Sequence, residues 1–208
     1  MSALELRPEF DWLAPEVPIG TEVEAAAAQW VAPYSQVLHL LRTRDWLLQL
    51  TPDASLEARL AAMTHDIERM FPGGPVLDFA HARWDDPAYL YPHQLRSAAF
   101  VGDWLSAQGH ARDVEVAEVR RLVGLHEVGG LGAADDIQAA DSLSFLETLA
   151  GLAADWVRTG VCSRDTAIAK LTYSVDRIRL QRALQPARDL LPWAIDQIPA
   201  NQDSEVSS

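Results

Sequence analysis

Apolar residues in this sequence recur at positions i, i+3, i+4 and i+7, and few segments alternate apolar and polar residues. The first spacing places apolar side chains on one face of an α-helix, whereas alternation is typical of a half-buried strand. One such face carries Ile168, Leu171, Val175 and Ile178. The sequence therefore predicts an all-α fold.

Capping residues, prolines and glycines set the bounds of the predicted helices. Thr21 and Ser163 suit N-caps, because their hydroxyls accept hydrogen bonds from free amides of the first turn. Pro92 suits the first turn of a helix, and the glycines at 129–132 suit a break. The predicted helices cover approximately residues 21–50, 53–70, 93–108, 114–127, 134–159, a segment from 163 through 178, and 182–198, with a loop between 71 and 91.

The length of 208 residues fits one helical domain with short appendages. We expect an N-terminal extension over 1–20, a single helical domain with its C-terminal helices over 21–198, and a disordered tail over 199–208. The hydrophobic fraction of 49% with seven Trp supplies a core without a disulfide or a structural metal. Because Cys162 is the only cysteine, no disulfide can form within the chain. Because the core needs no structural metal, a bound metal would have a catalytic role.

The charge of the chain limits its partners. It has 17 Lys+Arg against 30 Asp+Glu, for a formal net charge of −13. Such a surface repels a phosphate backbone, so long nucleic acids are excluded, whereas a small phosphorylated ligand needs only a local basic pocket. No apolar run approaches the ~20 residues of a membrane span, and residues 1–18 do not resemble a signal peptide. We expect a cytoplasmic protein without membrane contact; the oligomeric state stays open.

Several histidines and aspartates lie in or beside apolar helical segments, where a polar side chain needs a partner. The adjacent pair His65-Asp66 is the anchor of the set, because one segment presents an imidazole nitrogen and a carboxylate oxygen together. A single buried histidine is more often a hydrogen-bonded core residue than a ligand. The ordered set predicts a metal site with the candidate ligands His39, His65, Asp66, His93, His126 and Asp141.

This order of residues resembles the HD-domain superfamily, in which a His, a His-Asp pair and a distant Asp lie on successive helices. The resemblance covers residues 39–141 and is closest at 64–69 and 139–144. It implies an HD-domain helical bundle. It also implies that the first metal is held by His39, His65, Asp66 and Asp141. His93 and His126 then occupy the positions that hold a second ion in two-metal members, and Asp66, the expected catalytic residue, bridges the two ions.

The chemistry of the ligands agrees with that assignment. A carboxylate with two oxygens can bridge ions ~3.5–4 Å apart and so lower the pKa of a bridging water, which gives a hydroxide nucleophile at neutral pH. A site rich in imidazole suits transition metals rather than Mg or Ca. We expect one or two divalent ions, with Fe or Mn favoured and Co, Ni or Zn possible.

Four basic residues are candidates for binding a substrate phosphate: Arg69, Arg96, Lys170 and Arg177. Arg69 follows His65 by one helical turn, and this position often contacts substrate in the superfamily that the chain resembles. Guanosine-tetraphosphate hydrolases of that superfamily are acidic here, so the Glu68-Arg69 sequence disfavours that activity. The alternative for each basic residue is a solvated surface side chain or a salt bridge.

Three functions fit the sequence. The first is a phosphohydrolase that acts on a phosphoester or phosphoanhydride of a small, nucleotide-like molecule through a metal-activated water. The second is a mixed-valent di-iron oxygenase, because the six ligands also resemble those of myo-inositol oxygenase and phosphonate-cleaving enzymes. The third is a non-catalytic ligand sensor, which is disfavoured because all six ligands are present.

Overall fold

The computed structural model describes residues 7–77 and 83–200, and it confirms the all-α fold. Within these residues there are nine α-helices and no strand. No helix among them is long and apolar enough to cross a bilayer. The helices are α1 Glu22–Val31, α2 Val37–Leu50, α3 Leu56–Thr64, α4 Pro87–Ala107, α5 Val116–Val123, α6 Ala133–Thr148, α7 Ala150–Arg158, α8 Arg164–Asp176 and α9 Leu184–Asp196.

The centre of the molecule is the contact between α2 and α6, the most extensive contact between helices of the described residues. Helix α3 packs on α2 and α5, α4 covers α5, and α8 and α9 cover α6. Leu40 of α2, Leu60 of α3 and Leu143 of α6 are fully buried between these helices. The apolar core therefore surrounds the polar residues that α2, α3 and α6 direct inward.

The prediction of one helix over residues 21–50 is wrong, because the chain breaks between α1 and α2. Thr21 is the N-cap of α1, as expected, and its hydroxyl accepts from the amide of Glu24. Pro33 lies in the break, and its ring nitrogen carries no proton for a helical hydrogen bond. A turn takes the place of the helix, with the amide of Tyr34 donating to the carbonyl of Val31 at 2.9 Å.

The predicted helices before and after the 71–91 loop also begin or end at residues that differ from the prediction. Helix α3 ends at Thr64, and a short 3₁₀ helix, Ile67–Met70, follows in place of further α-helix. Helix α4 begins at Pro87, where Asp86 accepts from the amide of Ala88. Pro92 therefore lies inside α4 and not in its first turn, since the Asp86 cap supplies the earlier start.

Two later helices are shorter than predicted. Helix α5 ends at Val123, so the residues up to 127 form turns, and the segment 134–159 splits into α6 and α7 at Leu149. The predicted break at 129–132 is confirmed, and Gly129, Gly130 and Gly132 have φ of 61°, 97° and 56°, which a side chain disfavours. The predicted cap Ser163 is also confirmed, because its hydroxyl accepts from the amide of Thr166 at 3.1 Å.

The segment 7–20 lies against α2 and α6. Arg7 donates to the buried carboxylate of Glu147 on α6, and Glu147 also accepts from Trp46 Nε1 at 2.6 Å. Arg42 of α2 donates to the same carboxylate and to the carbonyl of Ala14, the latter at 2.6 Å. These bonds fix the described part of the extension to the core. Residues 1–6 and 201–208, the latter most of the expected disordered tail, lie outside the described residues.

Candidate metal centre

The six candidate ligands converge from five segments of the chain. His39 lies on α2, His93 on α4 and Asp141 on α6, whereas His65-Asp66 and His126 lie in the turns that follow α3 and α5. The four histidine side chains are at most 1% exposed, and those of the two aspartates are 7% and 11% exposed. Residues that are far apart in the sequence therefore form one buried polar cluster.

The donors pair into two groups, each with two imidazoles and one carboxylate oxygen. Asp141 Oδ1 lies 3.2 Å from His39 Nε2 and 3.4 Å from His65 Nε2. Asp66 Oδ1 lies 2.8 Å from His93 Nε2 and 3.6 Å from His126 Nε2.

A third group of donors within 4.8 Å of one another joins the two: His65, Asp66 and His126. Asp66 thus belongs to the joining group, at the position that the sequence resemblance assigns to a bridging carboxylate.

The opposite nitrogen of each ring is bound by a neighbouring group. His65 Nδ1 faces the carbonyl of Ala62 at 3.0 Å, and His126 Nδ1 faces the carbonyl of Val123 at 2.7 Å. A carbonyl oxygen only accepts, so in both rings Nδ1 carries the proton and donates it. Nε2 of each ring is therefore directed into the cluster, and without a proton it has the orientation that metal ligation requires.

His39 obtains the same orientation through a hydroxyl. Ser144 Oγ donates to the carbonyl of His39 at 2.8 Å, which uses its only proton, and it lies 2.9 Å from His39 Nδ1. The hydroxyl must then accept from Nδ1. His93 Nδ1 lies 2.9 Å from a carboxylate oxygen of Glu68, which would accept its proton when Nε2 binds an ion. All four Nε2 atoms thus point into the cluster.

This geometry fits a metal ion. Two ligands that meet at an ion with bonds of about 2.1 Å lie roughly 3.0 Å apart at a right angle and roughly 3.4 Å apart at the tetrahedral angle. The pairs above span 2.8–3.6 Å. In addition, Nε2 of His65 and Nε2 of His126 are buried and have no hydrogen-bond partner. Buried polar atoms are rarely left in this way, and coordination of an ion would satisfy both.

The charges of the cluster favour a cation at its centre. Burial raises the pKa of Asp66, but Arg69 and nearby histidine rings outweigh it and hold the pKa well below its usual range. Arg177 and His65 have the same effect on Asp141. Burial lowers the pKa of His65, yet the two carboxylates raise it to about 9. These carboxylates attract positive charge, which a proton or a metal ion can supply.

Glu127 is a further candidate ligand that the sequence analysis missed. Its carboxylate forms a group of possible donors with His93 and His126, within 4.8 Å of one another. Arg177, Lys170 and His126 overcome the effect of burial and lower its pKa to about 2. A signal was present in the sequence, because His126-Glu127 is an adjacent imidazole and carboxylate like His65-Asp66.

Three of the four basic candidates lie at the cluster. Arg69 Nε donates to Asp66 Oδ2 at 3.1 Å, and Arg177 Nη2 donates to Asp141 Oδ2 at 2.5 Å. Each aspartate therefore presents Oδ1 to histidines and Oδ2 to a guanidinium. Lys170 is close by, with Nζ 5.2 Å from the centre of the Phe145 ring.

The fourth candidate, Arg96, faces another direction. Its Nε lies 3.1 Å from Glu68 Oε2, and its Nη2 donates to the carbonyl of Pro72 at 2.5 Å. Arg96 is not among the described residues that line the cavity beside the cluster. Its contact with the site is indirect, because Glu68 also binds the ring of His93.

A cavity of about 510 Å³ opens onto the cluster. Its polar end is formed by His39, Asp66, Glu127 and Asp141 together with the cations Arg69, Lys170 and Arg177. The remainder is lined largely by apolar and aromatic side chains of α6, α7 and the segments before α4. The volume is in the range of small-molecule sites. A ligand of that size can therefore reach the aspartates and the three cations.

No protein-family model, no curated protein and no solved structure matches this chain. The function is therefore inferred from the residues and their geometry.

Proposed function

We propose that this chain is a metal-dependent phosphohydrolase of the HD-domain type, which hydrolyses a phosphate ester of a small molecule. One observation carries the proposal: four inward-facing imidazoles and two carboxylates meet at the cationic end of a cavity. The order of these residues along the chain is the order in the superfamily that the sequence resembles. The buried donors are suited to hold ions, and the open cavity is suited to admit a substrate.

The donor set favours Fe or Mn, with Co, Ni and Zn as further candidates. We infer one or two ions, held by His39, His65 and Asp141 on one side and by His93 and His126 on the other, with Asp66 shared between the two sides. When bound, such an ion lowers the pKa of a coordinated water and polarises a phosphoryl oxygen, which are the two requirements of phosphoester hydrolysis.

The side chains around the cluster have two tasks in this reaction. The groups bound to the Nδ1 atoms hold each imidazole in the tautomer and orientation that ligation needs. Arg69, Lys170 and Arg177 attract the phosphate and stabilise the charge that develops on its oxygens. The local cations are needed because the chain as a whole has a net charge of −13.

Metal analysis and phosphate release test the proposal. The purified chain is expected to contain transition metal and to release phosphate from a panel of phosphoesters under argon. Asp66→Asn should remove most of the metal and the activity, whereas Asp53→Asn, an exposed aspartate outside the cluster, should change neither. If Asp66→Asn keeps both the metal and the turnover of the parent chain, the proposal fails.

A di-iron oxygenase is the second candidate. It is favoured by the same donor set, since a bridging carboxylate and four imidazoles also suit a pair of iron ions. Oxygen consumption with an iron-based radical signal, and no phosphate release under argon, would support this candidate against the hydrolase. A ligand sensor without catalysis remains the third, and it predicts metal or ligand binding without turnover of either kind.

A further inference from the structure

The part of the cavity beyond the cluster is an apolar wall that phosphate binding alone does not require. This wall is formed by one face of α6 and α7. Phe145 follows Asp141 by four residues, and Leu149 follows Phe145 by four, so the three lie along one side of α6 and its end. Leu152 and Trp156 of α7 extend the lining.

The wall starts at the cluster itself. At ~1.5 Å per residue, the eight residues from Asp141 to Leu149 extend about 12 Å along the helix axis. Leu152 and Trp156 are partly buried, and Val161 at the end of the wall is 52% exposed. The cavity therefore leads from the cationic end, past a row of apolar side chains, to the surface.

The opposite side of the cavity is largely apolar. It contains Val76, Leu77, Trp84 and Tyr89, and Trp84 Nε1 is a buried donor without a hydrogen-bond partner among the described residues. Away from the charged end, Gln36 has the one side-chain amide among the described lining residues, and its Oε1 already accepts from a tyrosine hydroxyl at 3.2 Å. A site that recognises a nucleobase or a sugar requires several such polar groups, because the unpaired edges of the ligand would otherwise lose water without compensation.

From this arrangement we propose that the substrate is a phosphate monoester of an apolar alcohol, with the phosphate at the cluster and the hydrocarbon against Phe145, Leu149, Leu152 and Trp156. The inference rests on the proposed hydrolase and narrows its substrate class. In the reaction, water adds to phosphorus, the bond from phosphorus to the ester oxygen breaks, and a proton from the water passes to that oxygen. The products are inorganic phosphate and the apolar alcohol.

A series of n-alkylphosphonic acids tests the inference, because their carbon–phosphorus bond resists hydrolysis and binding can be measured alone. Methyl-, butyl-, hexyl- and octylphosphonate are titrated into the metal-loaded full chain by calorimetry. Affinity should rise about fourfold per methylene, the change that corresponds to about 0.8 kcal/mol of buried CH₂. Affinities that agree within about twofold from methyl to octyl, or tighter binding of AMP than of octylphosphonate, would overturn the inference.

Two substitutions test where the alkyl chain of the phosphonate binds. Leu152→Asn in the wall and Val161→Asn at its exposed end should each reduce the gain per methylene. Leu184→Asn is the matched control, since Leu184 is also partly buried but packs at the start of α9, outside the cavity lining. Circular dichroism checks that each variant folds, and Val161, which is exposed, remains informative if Leu152→Asn does not. An unchanged chain-length dependence in both folded variants counts against the wall as the binding surface.

The matching n-alkyl phosphates separate this inference from the proposed function. If the phosphonates bind with the expected dependence but no alkyl phosphate is hydrolysed, the apolar site stands and the hydrolase is wrong. If phosphate is released from methyl phosphate and AMP as readily as from octyl phosphate, the hydrolase stands and the apolar substrate class is overturned.

Discussion

Replacement of Ser144 by alanine tests whether the orientation of an imidazole governs metal binding in this cluster. The hydroxyl accepts from His39 Nδ1 and donates to the carbonyl of His39. That carbonyl keeps a second donor, the hydroxyl of Thr43 at 2.8 Å, so the main loss is the partner of one buried N–H group. A buried donor without a partner costs about 1–3 kcal/mol of unfolding free energy.

The expected effect on metal binding is of the same size as the effect on folding. Loss of the group that orients a ligating histidine weakens metal affinity about 10–100-fold, which equals about 1.4–2.7 kcal/mol. Competition against a chromogenic chelator measures the affinity, and urea denaturation followed by circular dichroism measures the unfolding free energy. Ser144→Thr keeps the hydroxyl and should retain most of the affinity.

Thr148→Val is the matched control for this measurement. Thr148 is buried one turn further along α6, and its hydroxyl donates to the carbonyl of Ser144 on the same helix at 2.7 Å. This variant should keep the metal affinity within about twofold while it loses a comparable buried hydroxyl. If Ser144→Ala binds metal as tightly as the Thr148→Val control does, the hydroxyl does not position His39 for ligation, and the argument from tautomers is wrong.

Four further predictions concern the cluster and the ion pairs of the chain. His126→Ala should reduce bound metal from about two ions to about one in a two-ion site, measured by metal analysis beside a thermal melt; unchanged content would leave a site with one ion. Glu147→Ala should lower the unfolding free energy by about 3–5 kcal/mol in urea titrations, because it leaves buried partners without their carboxylate. Replacement of the exposed Arg158, which pairs with Asp155, should lower the unfolding free energy by less than about 1 kcal/mol. Burial raises the pKa of Glu24, but Arg44 and its other partners outweigh it and lower the pKa. Its stabilisation is therefore complete above its unfolded pKa, about 4.3, and is lost as pH falls through the lower folded value. Thermal melts of Glu24→Gln should differ most from the parent chain near pH 7 and least near pH 3, and a constant difference would contradict this assignment.

The features of the fold that the sequence predicts correctly depend on residues that are close together along the chain. Thr21 and Ser163 are caps because a hydroxyl at the start of a helix meets the amide two or three residues later. The end of α6 at Thr148 has no clear local signal, since the nearest glycine, Gly151, lies inside the first turn of α7. Packing of α7 against α8 and α9 accompanies that end, and such contacts cannot be read from a short stretch of sequence.

The candidate site, like the fold, could be predicted from the sequence only in part. The convergence of His39, His65 and Asp141 was expected from the resemblance in residue order, and the distances show that these side chains meet. Ser144 was missed as the group that orients His39, although its position three residues after Asp141 places both on one face of α6. The role of a serine depends on which helix lies opposite, and composition and periodicity do not determine that.

The contacts of the segment 7–20 decide where the chain can be shortened. The predicted domain begins at residue 21, yet a protein that starts there would lack Arg7 and the carbonyl of Ala14. Glu147 would lose one of its guanidinium partners, and Arg42, 1% exposed, would lose a carbonyl partner. Expression of a minimal domain for crystallisation or NMR should therefore keep residues from Arg7 onward, and an affinity tag belongs at the other terminus.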